Sequence, residues 1–168
     1  MSEQRVKELL KKNHIGRPPV DVGRIAATEG LEIRYSPTGT NISGALVRSD
    51  HMTFIAVNNA HHLNRQRFTI AHELAHFFLD HEGTDLHIDG DFTINLRYRS
   101  ASEAADRSEI QANQFAAELL MPREFLVRDA LTAYPLDESS VRKLARKYQV
   151  SEQAMTIRLV SLGFLSPD

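Results

Sequence analysis

Phe68-Thr-Ile-Ala-His-Glu-Leu-Ala-His-Phe-Phe78 decides how the rest of the chain is read, because it sets His72, Glu73 and His76 in the order His-Glu-x-x-His. On a helix turning about 100° per residue the two histidines stand about 40° apart, so both imidazoles reach one metal ion. Glu73 falls on the same polar side, close enough to work on a water at that ion. Phe68, Ala71, Leu74, Ala75 and Phe78 fall on the other side, as expected of an amphipathic helix with one face in the core and one lining a cleft. Two His ligands with a non-coordinating Glu between them suit Zn²⁺ in a hydrolytic role, where three protein ligands leave a fourth position for water.

The third ligand has to come from elsewhere. In the extended motif that uses a third His, a Gly and a His follow the second His by three and six residues. Those positions are Leu79 and Glu82, so that pattern fails. Residues 80–91 are rich in acids, carry His81 and His87, and read as a solvated loop. A helix is predicted from 101 to about 121, ended by Pro122, with Ala112, Phe115, Ala116 and Leu119 as its buried stripe. Glu109 and Asn113 lie four apart on one face of it, which suits a carboxylate ligand followed by an amide that orients a ligand imidazole. His81, His87 and the loop aspartates are the alternatives to Glu109.

Composition narrows the class. The 168 residues are 42% hydrophobic, a size for one compact unit with a modest extension. A formal charge of -2 provides no global attraction to nucleic acid or anionic lipid, and direct nucleic-acid or membrane partners are not expected. There is no cysteine, which excludes thiolate metal sites, disulfides and a Cys nucleophile. Met1-Ser-Glu-Gln-Arg5 lacks an apolar signal core and no run approaches a membrane span, so the expected location is cytoplasmic.

The expected fold class is α+β, with a small antiparallel sheet packed against a helical core. Val6, Leu9 and Leu10 are spaced for a helix over 3–12. Pro18 and Pro19 offer a second helix start, with Val22, Ile25 and Ala26 as its stripe and Gly30 as its stop. Residues 31–35 read as a strand, and 42–48 with 52–57 as an antiparallel hairpin. A strand beside the metal cleft can accept extended peptide as a further strand, although the hairpin could equally just pack under the helix. Gly44 permits close backbone approach or marks a bulge.

Residues 1–134 are expected to form the metal-binding unit and 135–168 a helix-turn-helix-like tail packed on it. Its helices are predicted over 141–148 and 152–162, with Ser151 as N-cap and Gly163 as stop. Leu144, Ala145, Val150, Met155 and Leu159 have helix-turn-helix spacing. Arg142, Lys143, Arg146, Lys147 and Arg158 could meet phosphates, but Gln149 replaces the usual turn Gly and Glu152 would face DNA. A packing or partner-docking role is therefore favoured, with Val141, Tyr148 and Met155 as candidate docking positions, although core packing would explain the same residues.

Arg67-Phe-Thr-Ile-Ala-His-Glu-Leu-Ala-His76 together with Glu109-Ile-Gln-Ala-Asn-Gln-Phe-Ala-Ala-Glu-Leu-Leu-Met-Pro122 resembles the ImmA/IrrE family of metallopeptidases. Ile42-Ser-Gly-Ala-Leu-Val47 and Ile55-Ala-Val-Asn58 resemble the family's strands, and the likeness covers most of residues 18–122. The resemblance implies a cytoplasmic zinc endopeptidase of the gluzincin type, associated with mobile elements or stress responses, that cleaves a helix-turn-helix transcriptional repressor. By position it implies His72, His76 and Glu109 as ligands and Glu73 as the base. Ala75 stands where many relatives have Gly, a change that a helix accepts readily. An oxyanion donor besides the metal is sought among Tyr98, His87 and Arg97, with Tyr98 the first choice. The competing reading is a regulator that binds DNA or a repressor without cutting it.

Overall fold

The computed structural model describes residues 2–37, 42–48, 52–79, 86–90, 103–132 and 136–166. Along the chain run α1 (Ser2–Lys12), α2 (Val22–Thr28), β1 (Glu32–Ser36), β2 (Ile42–Arg48), β3 (Thr53–Asn58), α3 (Leu63–Phe78), β4 (Leu86–Gly90), α4 (Glu103–Leu120), α5 (Arg123–Thr132), α6 (Glu138–Tyr148) and α7 (Glu152–Ser161). The class is α+β, as the sequence patterns indicate.

Three local expectations change. The second helix begins at Val22 rather than at Pro18 or Pro19, because the Asp21 carboxylate accepts the otherwise orphaned Arg24 N–H at 2.9 Å. The sheet is mixed, not wholly antiparallel: its order is β1-β3-β2-β4, and β1 pairs in parallel with β3. Ile55 and Val57 are buried at the centre of β3, and the mostly exposed β1 covers the edge that the β2–β3 hairpin leaves open. The acidic stretch read as a loop contributes β4, which pairs antiparallel with the outer side of β2 from Ile42↔Gly90 to Val47↔Leu86. A free strand edge is a row of unsatisfied donors and acceptors, and Leu86–Gly90 satisfies it.

β2 positions the metal-motif helix. Ser43 Oγ accepts from Arg65 at 2.7 Å, and Arg48 at the other end donates to the carbonyl of His76 at 3.1 Å. Five strand residues advance about 17 Å and eleven helical residues about the same, so β2 and α3 run in step in one direction. Gly44 makes the approach possible: a Cβ there would collide with Thr69 Cγ2 and lie 2.7 Å from the Ala56 carbonyl oxygen. The register of β2 against β4 also shifts between Ile42 and Gly44, so close approach and bulge occur together.

The tail forms as its spacing indicates. Gln149 takes the left-handed conformation (φ 55°) that ends α6, Ser151 caps α7 through the Ala154 N–H at 3.1 Å, and Gly163 (φ 77°) lies just beyond its end. Val141, Leu144, Tyr148, Val150, Met155 and Leu159 are buried in the same apolar core as Leu74 and Phe115. Val141, Tyr148 and Met155 are therefore packing residues and not docking positions. Helical periodicity identifies a buried stripe without saying whether its cover is the same chain or another. Tyr148 donates its hydroxyl to Asp129 Oδ2 on α5 at 2.8 Å, and Lys147 reaches that oxygen at 2.8 Å.

Candidate metal centre

His72 and His76 come from α3 and Glu109 from α4, two helices in extensive contact. Sequence patterning made α3 amphipathic, but all of Thr69–His76 is buried, His72, Glu73 and His76 included. The polar face is covered because α4 and β2 both lie against it. Glu73 is fully buried and is not a member of the ligand group.

The three ligand side chains converge. His72 Nε2 and His76 Nε2 are 3.0 Å apart, Glu109 Oε2 is 3.3 Å from His72 Nε2, and Glu109 Oε1 is 3.3 Å from His76 Nε2. Each imidazole nitrogen thus faces its own carboxylate oxygen at 3.3 Å, and these separations lie close to the about 3.3–3.6 Å expected between donor atoms set about 2.0–2.2 Å from one ion at tetrahedral angles, so the group fits a metal ion with a small inward closure. Two imidazole nitrogens and a carboxylate gathered this closely can each offer a lone pair to one shared cation, provided that the imidazoles are neutral and the carboxylate ionised.

Orientation is fixed from outside the triangle. Asn113 Oδ1 lies 2.8 Å from His72 Nδ1, one helical turn beyond Glu109. An amide oxygen only accepts, so Nδ1 carries the hydrogen and Nε2 presents its lone pair to the centre. The Phe68 ring stands 6.4 Å from that of His72, and Arg48 holds the backbone at His76. Burial works to raise the pKa of Glu109, but hydrogen bonds and charge from His72 and His76 outweigh it. Its carboxyl is held well below the usual range and stays ionised, the form a metal requires.

The structure thus brings together His72, His76, Glu109 and Asn113, and Glu73, next to His72 on α3, is fully buried. Tyr98, Arg97 and His81 lie outside the described residues. His87 belongs to β4, where it pairs with Leu46. Arg48 was not found from sequence, and no local signal marks it, since its partner is 28 residues away.

Residues 26–160 match the IrrE N-terminal-like domain, a peptidase family. The chain belongs to this family. The matched span includes α3 and α4 and continues into α7, further than the motif resemblance reached. Within the IrrE-like family, the radiation response metalloprotease IrrE of Deinococcus deserti is 31% identical over 156 residues, covering 89% of this chain and 50% of that protein. The chain thus spans about half the length of this relative. A solved Mycobacterium tuberculosis transcriptional regulator superposes with a TM-score of 0.66 at 16% identity, over 95% of this chain and 46% of the other, a likeness of fold. No described helix is long and apolar enough to cross a membrane.

Proposed function

We propose that this IrrE-like chain is a zinc-dependent endopeptidase that hydrolyses a peptide bond in one protein partner, a transcriptional repressor with a helix-turn-helix domain. The observation that carries the reading is the convergence of His72, His76 and Glu109, with Glu73, next to His72 on α3, fully buried. Those three residues would hold the ion, and two imidazoles with one carboxylate are a donor set that suits Zn²⁺. When bound, the metal supplies Lewis acidity to the attacking water and the scissile carbonyl. Glu73 accepts the proton of that water and delivers it to the departing amine nitrogen. Asn113 keeps His72 in the tautomer that faces the centre, and Arg48 and Gly44 hold α3 against β2. Tyr98 remains the proposed oxyanion donor.

β1 and β4 are the outer strands of the sheet, and β4 adjoins β2, the strand that tracks α3. An extended peptide adding to a sheet edge on that side supports cleavage in a linker or locally unfolded segment rather than inside a packed helix. In this reading residues 1–134 are the peptidase unit and 135–168 the helix-turn-helix-like unit, the protein is cytoplasmic, and its role lies in a stress or mobile-element response. The test is incubation of zinc-loaded protein with candidate repressors. One or two cuts, stopped by chelation, are expected. Rapid digestion of casein would oppose partner-directed cleavage, and a repressor bound tightly but left intact would favour a binding role.

A further inference from the structure

The tail makes polar contacts with both helices that carry the ligands. In the α6–α7 turn, the Val150 carbonyl accepts from Asn64 Nδ2 at 3.0 Å. Asn64 lies in the first turn of α3, eight residues before His72. From α7, Arg158 Nε donates to the Met121 carbonyl at 3.2 Å, and its guanidinium pairs with Glu118 in the last turn of α4. The two side chains are only 13% and 12% exposed. Glu118 Oε1 also lies 3.4 Å from the Arg123 backbone N–H, so the end of α4, the start of α5 and the last turn of α7 meet at one carboxylate.

The ligand triangle depends on how α3 and α4 sit relative to one another. Glu118 is nine residues beyond Glu109, about 14 Å along α4 and on the opposite side of it. The tail therefore holds α4 from behind while Asn113 holds it in front. Metal–ligand distances tolerate only about 0.2 Å, so a small rotation of α4 would draw Glu109 out of reach of an ion held by His72 and His76. An enclosed Arg–Glu pair is a poor source of net stability, and its forked geometry suits setting an orientation better.

We infer that the α6–α7 pair is a brace of the metal centre, and that Asn64 and Arg158 are positioning residues for it. The inference rests on the reading of His72, His76 and Glu109 as ligands. Coupling between two sites is reciprocal, so metal should tighten the brace as much as the brace tightens metal.

The first experiment is hydrogen exchange on the unaltered full chain, with and without Zn²⁺. Loading is expected to slow exchange over 148–160 as well as in α3 and α4, whereas slowing confined to α3 and α4 overturns the brace. The second compares Asn64→Ala, Arg158→Lys and the double change Glu118→Leu with Arg158→Leu, which leaves no buried charge alone. Zn²⁺ affinity by chelator competition should fall about tenfold in Asn64→Ala and in the double variant, with a changed Co²⁺ visible spectrum. Arg158→Lys should recover part of it, because an ammonium still pairs with Glu118. Parent-like affinity and spectrum in the folded variants overturn the inference while the ligand reading stands. A parent protein that takes up no metal overturns both, and the exchange experiment decides the matter even where a variant does not fold.

Discussion

Asn113 Oδ1 stands 2.8 Å from Nδ1 of His72, so an amide on α4 determines which nitrogen of a histidine on α3 can bind a metal. Removing that acceptor frees the ring to rotate or to change tautomer. Asn113→Ala is expected to keep the fold and lose roughly 10–100-fold in metal affinity, whereas Asn113→Asp, which retains an acceptor, should lose less. Competition with a chromophoric chelator measures both, with circular dichroism as the check on folding.

Glu73 is fully buried yet outside the ligand triangle. Its role in the proposed chemistry is proton transfer, so Glu73→Gln should retain metal and fold while hydrolysis drops by roughly 10²-fold or more. His72→Ala, His76→Ala and Glu109→Ala should behave differently, losing metal first. Undiminished turnover by Glu73→Gln would remove the assigned mechanism.

Gly44 is the point where α3 meets β2. A methyl group there meets Thr69 Cγ2 and lies 2.7 Å from the Ala56 carbonyl oxygen, and neither the strand nor the packed helix can yield easily. Gly44→Ala should lower stability by about 1–3 kcal/mol and weaken metal binding by displacing α3. Gly16→Ala is the control, since nothing lies within 4 Å of a Cβ there. Equal melting midpoints for the two variants would contradict the close approach.

The parts of this molecule legible in sequence are those set by local period. His72, Glu73 and His76 declare themselves through helical spacing, and Glu109 through the face it shares with Asn113. The start and the end of the last tail helix are visible in Ser151 and Gly163. Pairings chosen at long range are not visible: β1 could have joined either neighbour, and Leu86–Gly90 becomes a strand only because β2 has an open edge to fill. The Arg48 contact to His76 and the Arg158 contact to Glu118 span 28 and 40 residues and leave no local trace. Val141, Tyr148 and Met155 were legible as apolar positions, but their cover, the chain's own core, was not.

The junction of α5 and α6 should set the protein's pH limits. Burial alone would raise Asp129, but hydrogen bonds from Lys147 and Tyr148 and the Lys147 charge hold it below the usual range. Asp137, the N-cap of α6, is held down to about 2 by the Ser140 hydroxyl and N–H and by Ser139. Both folded values lie below the unfolded one, so this stability is present above about pH 4 and is lost as pH falls, for Asp137 toward about 2. Burial first, then Asp129, pushes Tyr148 well above its ordinary value, so its contribution is complete below about pH 10 and declines at higher pH. Denaturant melts at stepped pH should show both limbs. Asp137→Asn should flatten the acid limb and Tyr148→Phe the alkaline one.

The tail has the outline of a DNA-binding unit, and its charges show why it should not act as one in this chain. Of the five cations that could meet phosphates, Arg142 lies 3.3 Å from Glu152, Lys147 lies 2.8 Å from Asp129, and Arg158 is paired with Glu118. Arg158 is also largely enclosed, at the core side of α7. Freeing any of these for DNA would break an internal pair, and α7 opens with Ser151-Glu152-Gln153, where Glu152 would face phosphate repulsively. Lys143 and Arg146 are exposed, so binding through them alone would have a log–log salt slope of about -2 and be weak at physiological ionic strength. The full chain should therefore give no stable complex with duplex DNA at about 0.15 M salt, measured by fluorescence anisotropy. Glu152→Gln, which releases Arg142, should raise only the weak, sequence-independent binding seen at low salt. A tight complex with one particular duplex and a much steeper salt slope would mean that the internal pairs open on DNA, and the tail would then be a regulator in its own right.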